Sequence, residues 1–283
     1  MDFSLTPFET LGPGAWRAVA QPAAVNLGLV AGSSGALLID TGSSPAQGAE
    51  IRAAAEAVLE VPLVGVVVTH AHFDHYYGLA AFDDLPTYGH ESLIDALTAE
   101  QVGDEAPRLG FAVNELRPPN RPLALARMID LGDRHAEIVH FGRGHTAGDL
   151  VVIVPDLDLI FTGDLLEQSA PPAMGPDCFL KEWPSALDGI LGLVNERTRL
   201  MPGHGEPFDR TFAFTQRAEI SSVYGQVEYL IGQGIKQEDA LAAGEWQFDD
   251  ATIEAVLPIA YAQLAAEGKV PRPTLRLLTQ RNP

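Results

Sequence analysis

The sequence has a single cysteine, Cys178, among its 283 residues. One cysteine excludes a disulfide bond within the chain and any metal site built from several thiolates. No run of about 18 apolar residues occurs, which is the length that a membrane-spanning helix needs. The first residues also lack the basic segment and apolar core of a signal peptide. We therefore expect a cytoplasmic protein that does not contact membranes.

Basic residues are also scarce, at 18 lysines and arginines against 38 acidic residues, for a net charge of −20. A surface this acidic repels phosphate backbones, so a nucleic-acid partner is disfavoured and a small-molecule substrate is expected. Apolar residues make up 46% of the chain, which also contains 27 glycines and 21 prolines. These proportions predict a large buried core with many turns.

The order of patterns along the chain predicts an α/β architecture. Strand-like apolar runs at 25–29, 36–39 and 63–68 are separated by turn residues and by a helical pattern that begins at Ser44-Pro45. From Glu206 onward the patterns become helical. We therefore predict a catalytic domain over residues 1–205 and a helical C-terminal extension over 206–283.

A cluster of potential metal ligands follows the apolar run 63–68. The string Thr69-His70-Ala71-His72-Phe73-Asp74-His75 brings three imidazoles and a carboxylate close together. Neutral imidazole suits zinc and iron, and a carboxylate adds charge neutralisation. The cluster therefore predicts a metal site where the strand ends.

Three later residues have similar settings. Gly144 precedes His145, glycines flank His204 on both sides, and Asp164 follows the apolar run that ends at Gly163. Glycines at such positions let the backbone and a ligand approach closely. The other histidines lack these settings and are expected to be surface residues or satisfied core residues: His90, His135 and His140.

Together these residues resemble the signature of the metallo-β-lactamase-fold superfamily, in order and spacing, from Asp40 to Gly205. The resemblance implies a four-layer αββα sandwich with metals held at one edge of two facing β-sheets. It implies that one ion is bound by His70, His72 and His145, and a second by Asp74, His75 and His204. Asp164 would bridge the two ions, and Asp40 would accept a hydrogen bond from a ligating imidazole.

The resemblance also implies chemistry. Two divalent ions are expected, with zinc as the first expectation and iron or manganese as alternatives. They bring more positive charge than Asp74 and Asp164 neutralise, so a bridging water would lose a proton near neutral pH. The resulting hydroxide would attack the carbonyl of a small ester, thioester or lactone, with Asp74 or a metal-bound water as the proton shuttle.

Asp164 distinguishes branches of the superfamily. True β-lactamases of this fold lack a bridging aspartate there and often use cysteine, and Cys178 lies outside every matched ligand position. The pattern instead resembles glyoxalase II-type thioesterases, lactonases and phosphodiesterases. However, Tyr76-Tyr77-Gly78 stands where many relatives have Gly-Gly, and the basic residues that bind glutathione are not recognisable.

Two alternatives stay open. One is a mononuclear iron oxygenase similar to persulfide dioxygenases, although the glycine- and arginine-rich string of that branch is missing. The other is a catalytically idle metal-binding effector protein. The loop from Gln168 to Trp183 is expected to overhang the metals. The C-terminal helices could cap the site or support a homodimer. Candidate pocket residues in the loop are Met174, Asp177, Phe179, Lys181 and Trp183.

Overall fold

The computed structural model describes residues 3–97, 102 and 105–272; the remainder of the predicted extension, 273–283, lies outside the described residues. A first sheet has seven strands in sequence order. Strands β1 to β4 pair antiparallel, and β4 to β7 pair parallel. The strands are β1 (Glu9–Gly12), β2 (Ala15–Ala20), β3 (Val25–Ala31), β4 (Ala36–Ile39), β5 (Leu63–Val67), β6 (Thr87–His90) and β7 (Arg121–Leu123).

A second sheet has five strands in the order β12-β11-β10-β9-β8. Its pairs are antiparallel except for the parallel pair of β11 and β12. β4 and β5 of the first sheet are also parallel. In each sheet, therefore, the carboxyl ends of two neighbouring strands lie at the same edge. The strands are β8 (Ala126–Asp130), β9 (His135–Val139), β10 (Val151–Val154), β11 (Leu159–Gly163) and β12 (Arg199–Pro202).

The two sheets face each other across a shared apolar core. The inward side chains of both sheets are fully or almost fully buried, and they form one cluster. Alternation along each strand leaves the opposite face of each sheet for helices. Members of this central cluster include Leu37, Ile39, Val67, Ile138, Val152 and Phe161.

Helices cover the outer face of the first sheet. Helix α1 (Pro45–Val58) begins as its sequence predicts, with Ser44 accepting a hydrogen bond from the Gln47 amide and proline in the first turn. Its buried residue Ile51 joins a cluster with strand residues such as Leu38 and Val66. Two short helices follow, α2 (Phe73–Tyr76) and α3 (Glu105–Leu109). Short 3-10 turns cover Tyr77–Phe82, Glu91–Leu97, Val113–Glu115 and Pro155–Leu157.

The second sheet is covered by the later helices. Side chains of β10 and β11 share a core cluster with helical residues such as Ile220 and Leu257. The layers therefore run helix, sheet, sheet, helix, which confirms the predicted αββα class and the helical C-terminal region. The boundary at residue 205 stays a prediction. These helices are α4 (Trp183–Leu191), α5 (Arg210–Gly232), α6 (Gln237–Ala243) and α7 (Asp250–Ala266).

Within the described residues, none of the helices is both long enough and apolar enough to span a bilayer.

Candidate metal centre

The histidine string lies where β5 ends. The Asp40 amide donates to Val67 O (2.8 Å), and the Leu150 amide donates to Thr69 O (2.8 Å), so this edge is tied both to β4 and to the loop before β10. Helix α2 then begins directly after His72, whose carbonyl accepts from the Tyr76 amide at 3.0 Å. This turn places His70 and His72 in one ligand group and Asp74 and His75 in another.

The other candidate ligands come from the second sheet. His145 lies in the loop between β9 and β10, Asp164 follows β11, and His204 follows β12. Gly163 has a φ of +51°, a conformation that favours glycine, immediately before Asp164. The Asn26 amide donates to Gly203 O (2.7 Å), which ties the end of β12 to the first sheet. All seven predicted ligands are therefore brought to one edge of the sandwich.

The side chains form two groups. His70, His72 and His145 converge, with His145 Nε2 2.8 Å from His72 Nδ1. In the second group, Asp74 Oδ2 lies 3.2 Å from His204 Nε2 and 3.6 Å from His75 Nε2.

Asp164 lies between the two groups. Its Oδ2 is 3.6 Å from His145 Nε2 and 3.4 Å from His204 Nε2, and its Oδ1 is 3.2 Å from His75 Nε2. It clusters with the first group, and again with His204 and Glu167. One carboxylate thus faces both sets of imidazoles.

The donor set fits metal ions. Four ligands held about 2.0–2.2 Å from one ion lie roughly 3.3–3.6 Å apart, close to the separations across Asp164. Three buried atoms of the centre have no hydrogen-bond partner, namely His70 Nε2, His75 Nε2 and Asp164 Oδ1. Buried polar atoms are rarely left unpaired in a folded protein, and a cation would satisfy all three.

Asp40 orients His75. The Asp40 Oδ2 atom accepts from His75 Nδ1 at 2.8 Å, while its Oδ1 accepts from the Thr69 amide at 2.7 Å. When His75 is neutral, this contact leaves the lone pair of Nε2 facing the centre. Asp40 holds a φ of +62°, which is unusual for a non-glycine residue and costs about 1 kcal/mol. The hydrogen bond predicted for Asp40 is present.

Two other imidazoles are held in the same way. His145 Nδ1 donates to Ala173 O (3.0 Å), so Nε2 faces the centre. His72 Nε2 lies 2.9 Å from Asp177 Oδ2, so its Nδ1 atom faces the centre instead. These partners fix which nitrogen of each ring can bind an ion.

The electrostatics also suit cations. Burial and neighbouring imidazoles lower the pKa of His145 to about 4, so this ring is neutral. Burial opposes ionisation of Asp164, but His75 and His70 outweigh it and hold the pKa of Asp164 well below its usual value. Burial would lower the pKa of His204, yet hydrogen bonds to Asp164 and Asp74 raise it to about 10. The carboxylates thus attract positive charge to this position.

Glu167 is a residue of the centre that sequence reasoning missed. It is 6% exposed, and it groups with Asp164 and His204. Burial, and then the charge of Asp164, raise its pKa to about 8. Its Oε2 accepts from the Ala173 amide at 2.6 Å. The only sequence signal was its position three residues after Asp164.

A cavity of about 580 Å³ opens beside His72. Of the loop residues expected near the site, Asp177 and Phe179 line this cavity. Met174 and Trp183 are instead buried in the helix-side core, and Lys181 pairs with Glu267 at 2.8 Å. Trp183 still contacts the centre, because its ring packs against the ring of His145.

Among the described residues, no metal-binding group includes Cys178 or the remaining histidines, His90, His135 and His140. Cys178 is buried, and burial raises the pKa of its thiol to about 12. A neutral thiol is a poor metal ligand. The predicted centre is therefore built from imidazoles and carboxylates.

Curated relatives point to the same superfamily. The chain is 26% identical over 180 residues to a metallo-beta-lactamase type 2 of Bacillus cereus, covering 63% of this chain and 66% of that protein. It is 27% identical over 209 residues to the human acyl-coenzyme A thioesterase MBLAC2, covering 65% of this chain and 74% of that protein. The chain thus spans just under two thirds of the Bacillus cereus relative.

Solved structures share the fold. A metallo-beta-lactamase from Pontibacter korlensis superposes with a TM-score of 0.63 at 23% identity, covering 77% of this chain and 99% of that chain. A family model described as the metallo-beta-lactamase superfamily matches residues 20–209. That range contains every predicted ligand, and it spans more than half of the chain. The protein belongs to the metallo-β-lactamase superfamily.

Proposed function

We propose that this protein is a metal-dependent hydrolase that uses two divalent ions, with zinc as the first expectation, on a small ester, thioester or lactone. The observation that carries the proposal is the position of Asp164 between two separate ligand groups. A carboxylate that faces both groups could be shared by two ions. A one-metal site would not need the second group.

The ligands would divide as the distances suggest. His70, His72 and His145 would hold one ion, and Asp74, His75 and His204 the other, with Asp164 shared. Two ions bound there would supply Lewis acidity toward a carbonyl oxygen and would lower the pKa of a bound water molecule.

Asp74 is the residue that we propose as a proton shuttle. Its Oδ2 lies 3.2 Å from His204 Nε2. Burial opposes its ionisation, but His75 and a hydrogen bond from His204 lower the pKa of Asp74, so it is a carboxylate able to accept a proton. Glu167 is a second buried acid within reach of the same centre.

The relatives support acyl chemistry. One is named as a β-lactamase and another as an acyl-coenzyme A thioesterase, and both names describe cleavage at a carbonyl carbon. This supports a hydrolase over an iron oxygenase or a catalytically idle effector protein. A cytoplasmic location and a homodimer remain predictions.

The test is metal analysis of the purified protein, followed by assays on a panel of esters, thioesters and lactones. We expect two ions per chain and hydrolysis of at least one class. Asp164→Asn should lose one ion and at least about a hundredfold in kcat, whereas Asp239→Asn, an exposed surface change, should alter neither.

Three results would overturn the proposal. One iron per chain with oxygen consumption would favour the oxygenase. Two bound ions without hydrolysis of any panel member would favour the effector protein. Full activity and metal content in Asp164→Asn would refute the bridging role.

A further inference from the structure

The side chains that line the cavity beside the metal centre indicate which kind of substrate it can bind. It is about 580 Å³, enough for a small acyl compound, and its lining includes the candidate ligand His72 and the neighbouring Thr146. A substrate whose carbonyl reaches the centre would place its remaining part in this cavity. The inference therefore rests on the proposed hydrolase function.

The walls are largely apolar and aromatic. Phe73, Tyr77 and Phe179 contribute three rings, and Ala71, Ala96, Ala147 and Pro176 fill the spaces between polar groups. Aromatic faces bind apolar groups, and they also attract cations through the negative face of the ring.

The polar groups of the cavity are mainly acidic. Asp95, Glu105 and Asp177 line it, and no lysine or arginine does so within the described residues. Glu105 accepts from the Tyr77 hydroxyl at 3.0 Å, and Asp177 faces His72 at 2.9 Å. In the described part of the chain, none of the three is paired with a lysine or an arginine, and Asp177 is paired with the imidazole of His72. The sequence of 98–104 also contains no lysine or arginine.

Two arginines lie near the cavity, but neither lines it, so its charged lining stays acidic. Arg143 stands over the Phe179 ring at 4.2 Å, and its guanidinium is paired with Glu182 at 2.5 Å. Arg108 lines a separate cavity of about 360 Å³ that shares Phe73 and Glu105. The cavity next to the metal ligands therefore has an electron-rich aromatic and acidic wall.

We propose that this cavity binds the positively charged end of the substrate, an ammonium or alkylammonium group, while the carbonyl carbon lies at the metal centre. Carboxylates near aromatic rings attract a cation and repel an anion. Such a cavity disfavours substrates whose remote part is anionic, including acyl-coenzyme A with its phosphates. This chain would then differ in substrate charge from its thioesterase relatives.

A matched ester series tests the proposal in the metal-loaded full-length protein. The esters share one acyl group, and their alcohols end in trimethylammonium, neutral tert-butyl or carboxylate groups. We expect kcat/KM to fall in that order, by about tenfold between the cationic and neutral members. Glu105→Gln keeps an acceptor for Tyr77 and removes the charge, and Asp95→Asn removes a second charge.

In the double variant, which combines Glu105→Gln with Asp95→Asn, kcat/KM for the cationic ester should be close to kcat/KM for the neutral ester, so that their ratio is close to one. Glu254→Gln, an exposed change on α7, is the matched control and should leave the ratio as it is in the parent protein. Binding of butyltrimethylammonium, measured by calorimetry, gives a readout without turnover and should weaken in the double variant.

The outcomes separate the inference from the proposed function. Hydrolysis with an anionic preference, or a ratio unchanged in the double variant, would overturn the inference and leave the hydrolase standing. If the protein prefers the anionic ester and Arg108→Gln abolishes that preference, the inference is also overturned. Arg108 would then be the residue that selects the charge of the substrate. If no ester is hydrolysed, the hydrolase proposal fails on this panel. Calorimetry then decides the inference: a double variant that binds the cation more weakly supports it, and unchanged or undetectable binding overturns it.

Discussion

Replacing Gly203 with alanine should remove one metal ion without unfolding the protein. A Cβ atom at this position would lie 1.7 Å from Asp164 Oδ1 and 3.0 Å from His75 Cε1. The backbone cannot move aside easily, because the Gly203 amide donates to Gly163 O (2.9 Å) and its carbonyl accepts from the Asn26 amide (2.7 Å). The carboxylate of Asp164 must therefore give way.

The required movement is large for a metal ligand. Real Cβ atoms do not come within 3.0 Å of another heavy atom, so Oδ1 must move by about 1.3 Å. Metal–ligand distances tolerate about 0.2 Å. We expect affinity for the ion of the His75 group to fall at least about a hundredfold, while His70, His72 and His145 keep the first ion. Overpacking should cost about 1–3 kcal/mol in the free energy of unfolding.

Metal content by mass spectrometry and the free energy of unfolding by urea titration together measure this prediction. Gly225→Ala is the matched control, because no atom lies within 4 Å of its added Cβ and the residue is inside helix α5. The control should keep both ions and gain up to about 1 kcal/mol. Two ions bound with parental affinity in Gly203→Ala would refute the view that Asp164 holds the second ion from its present position.

Three further predictions concern the groups around the ligands. Asp40→Asn removes the charge that orients His75, and chelator competition should show metal affinity weaker by about 10–100-fold; unchanged affinity would contradict this orienting role. Asp177→Ala frees the ring of His72 and should weaken only the first ion, by about tenfold, which site-by-site metal titration would measure; loss of the second ion alone would argue against it. The pKa of His204 is raised to about 10 and that of His75 is also raised, so both rings carry protons at neutral pH that a cation must displace. Affinity should therefore fall as the pH falls, and calorimetry in buffers of different ionisation enthalpy should count about two released protons; zero release would contradict the assignment.

The convergence of the candidate ligands was predictable because their sequence signals are local. His70, His72, Asp74 and His75 lie within six residues of one another, so the string alone indicates metal chemistry before the fold is known. The same holds for the start of α1, where the Ser44 cap depends only on its own turn. Ends of parallel strands meet at one edge of a sheet, which brings the later ligands to the same place.

Glu167 could not be recognised because its burial is created by distant parts of the chain. Its amide donates to Gln216 Oε1 (3.0 Å), and Gln216 Nε2 donates to its carbonyl (2.7 Å) from helix α5. The cavity also depends on a distant contact, between Tyr77 and Glu105. A pattern along the sequence carries no information about such pairings until the fold supplies them.

The C-terminal helices hold the loop that follows Asp164. At one end of the loop, Gln216 Nε2 donates a hydrogen bond to the backbone carbonyl of Glu167. At the other end, Gln263 on α7 accepts from the Leu180 amide (3.1 Å) and donates to Cys178 O (2.6 Å). Asp177, which orients His72, directly precedes Cys178 in the chain. Both glutamines lie beyond residue 209, where the match to the superfamily ends. The part of the chain that matches the superfamily therefore carries the candidate ligands, whereas helices beyond that match hold the loop that contributes Asp177 and Phe179 to the cavity.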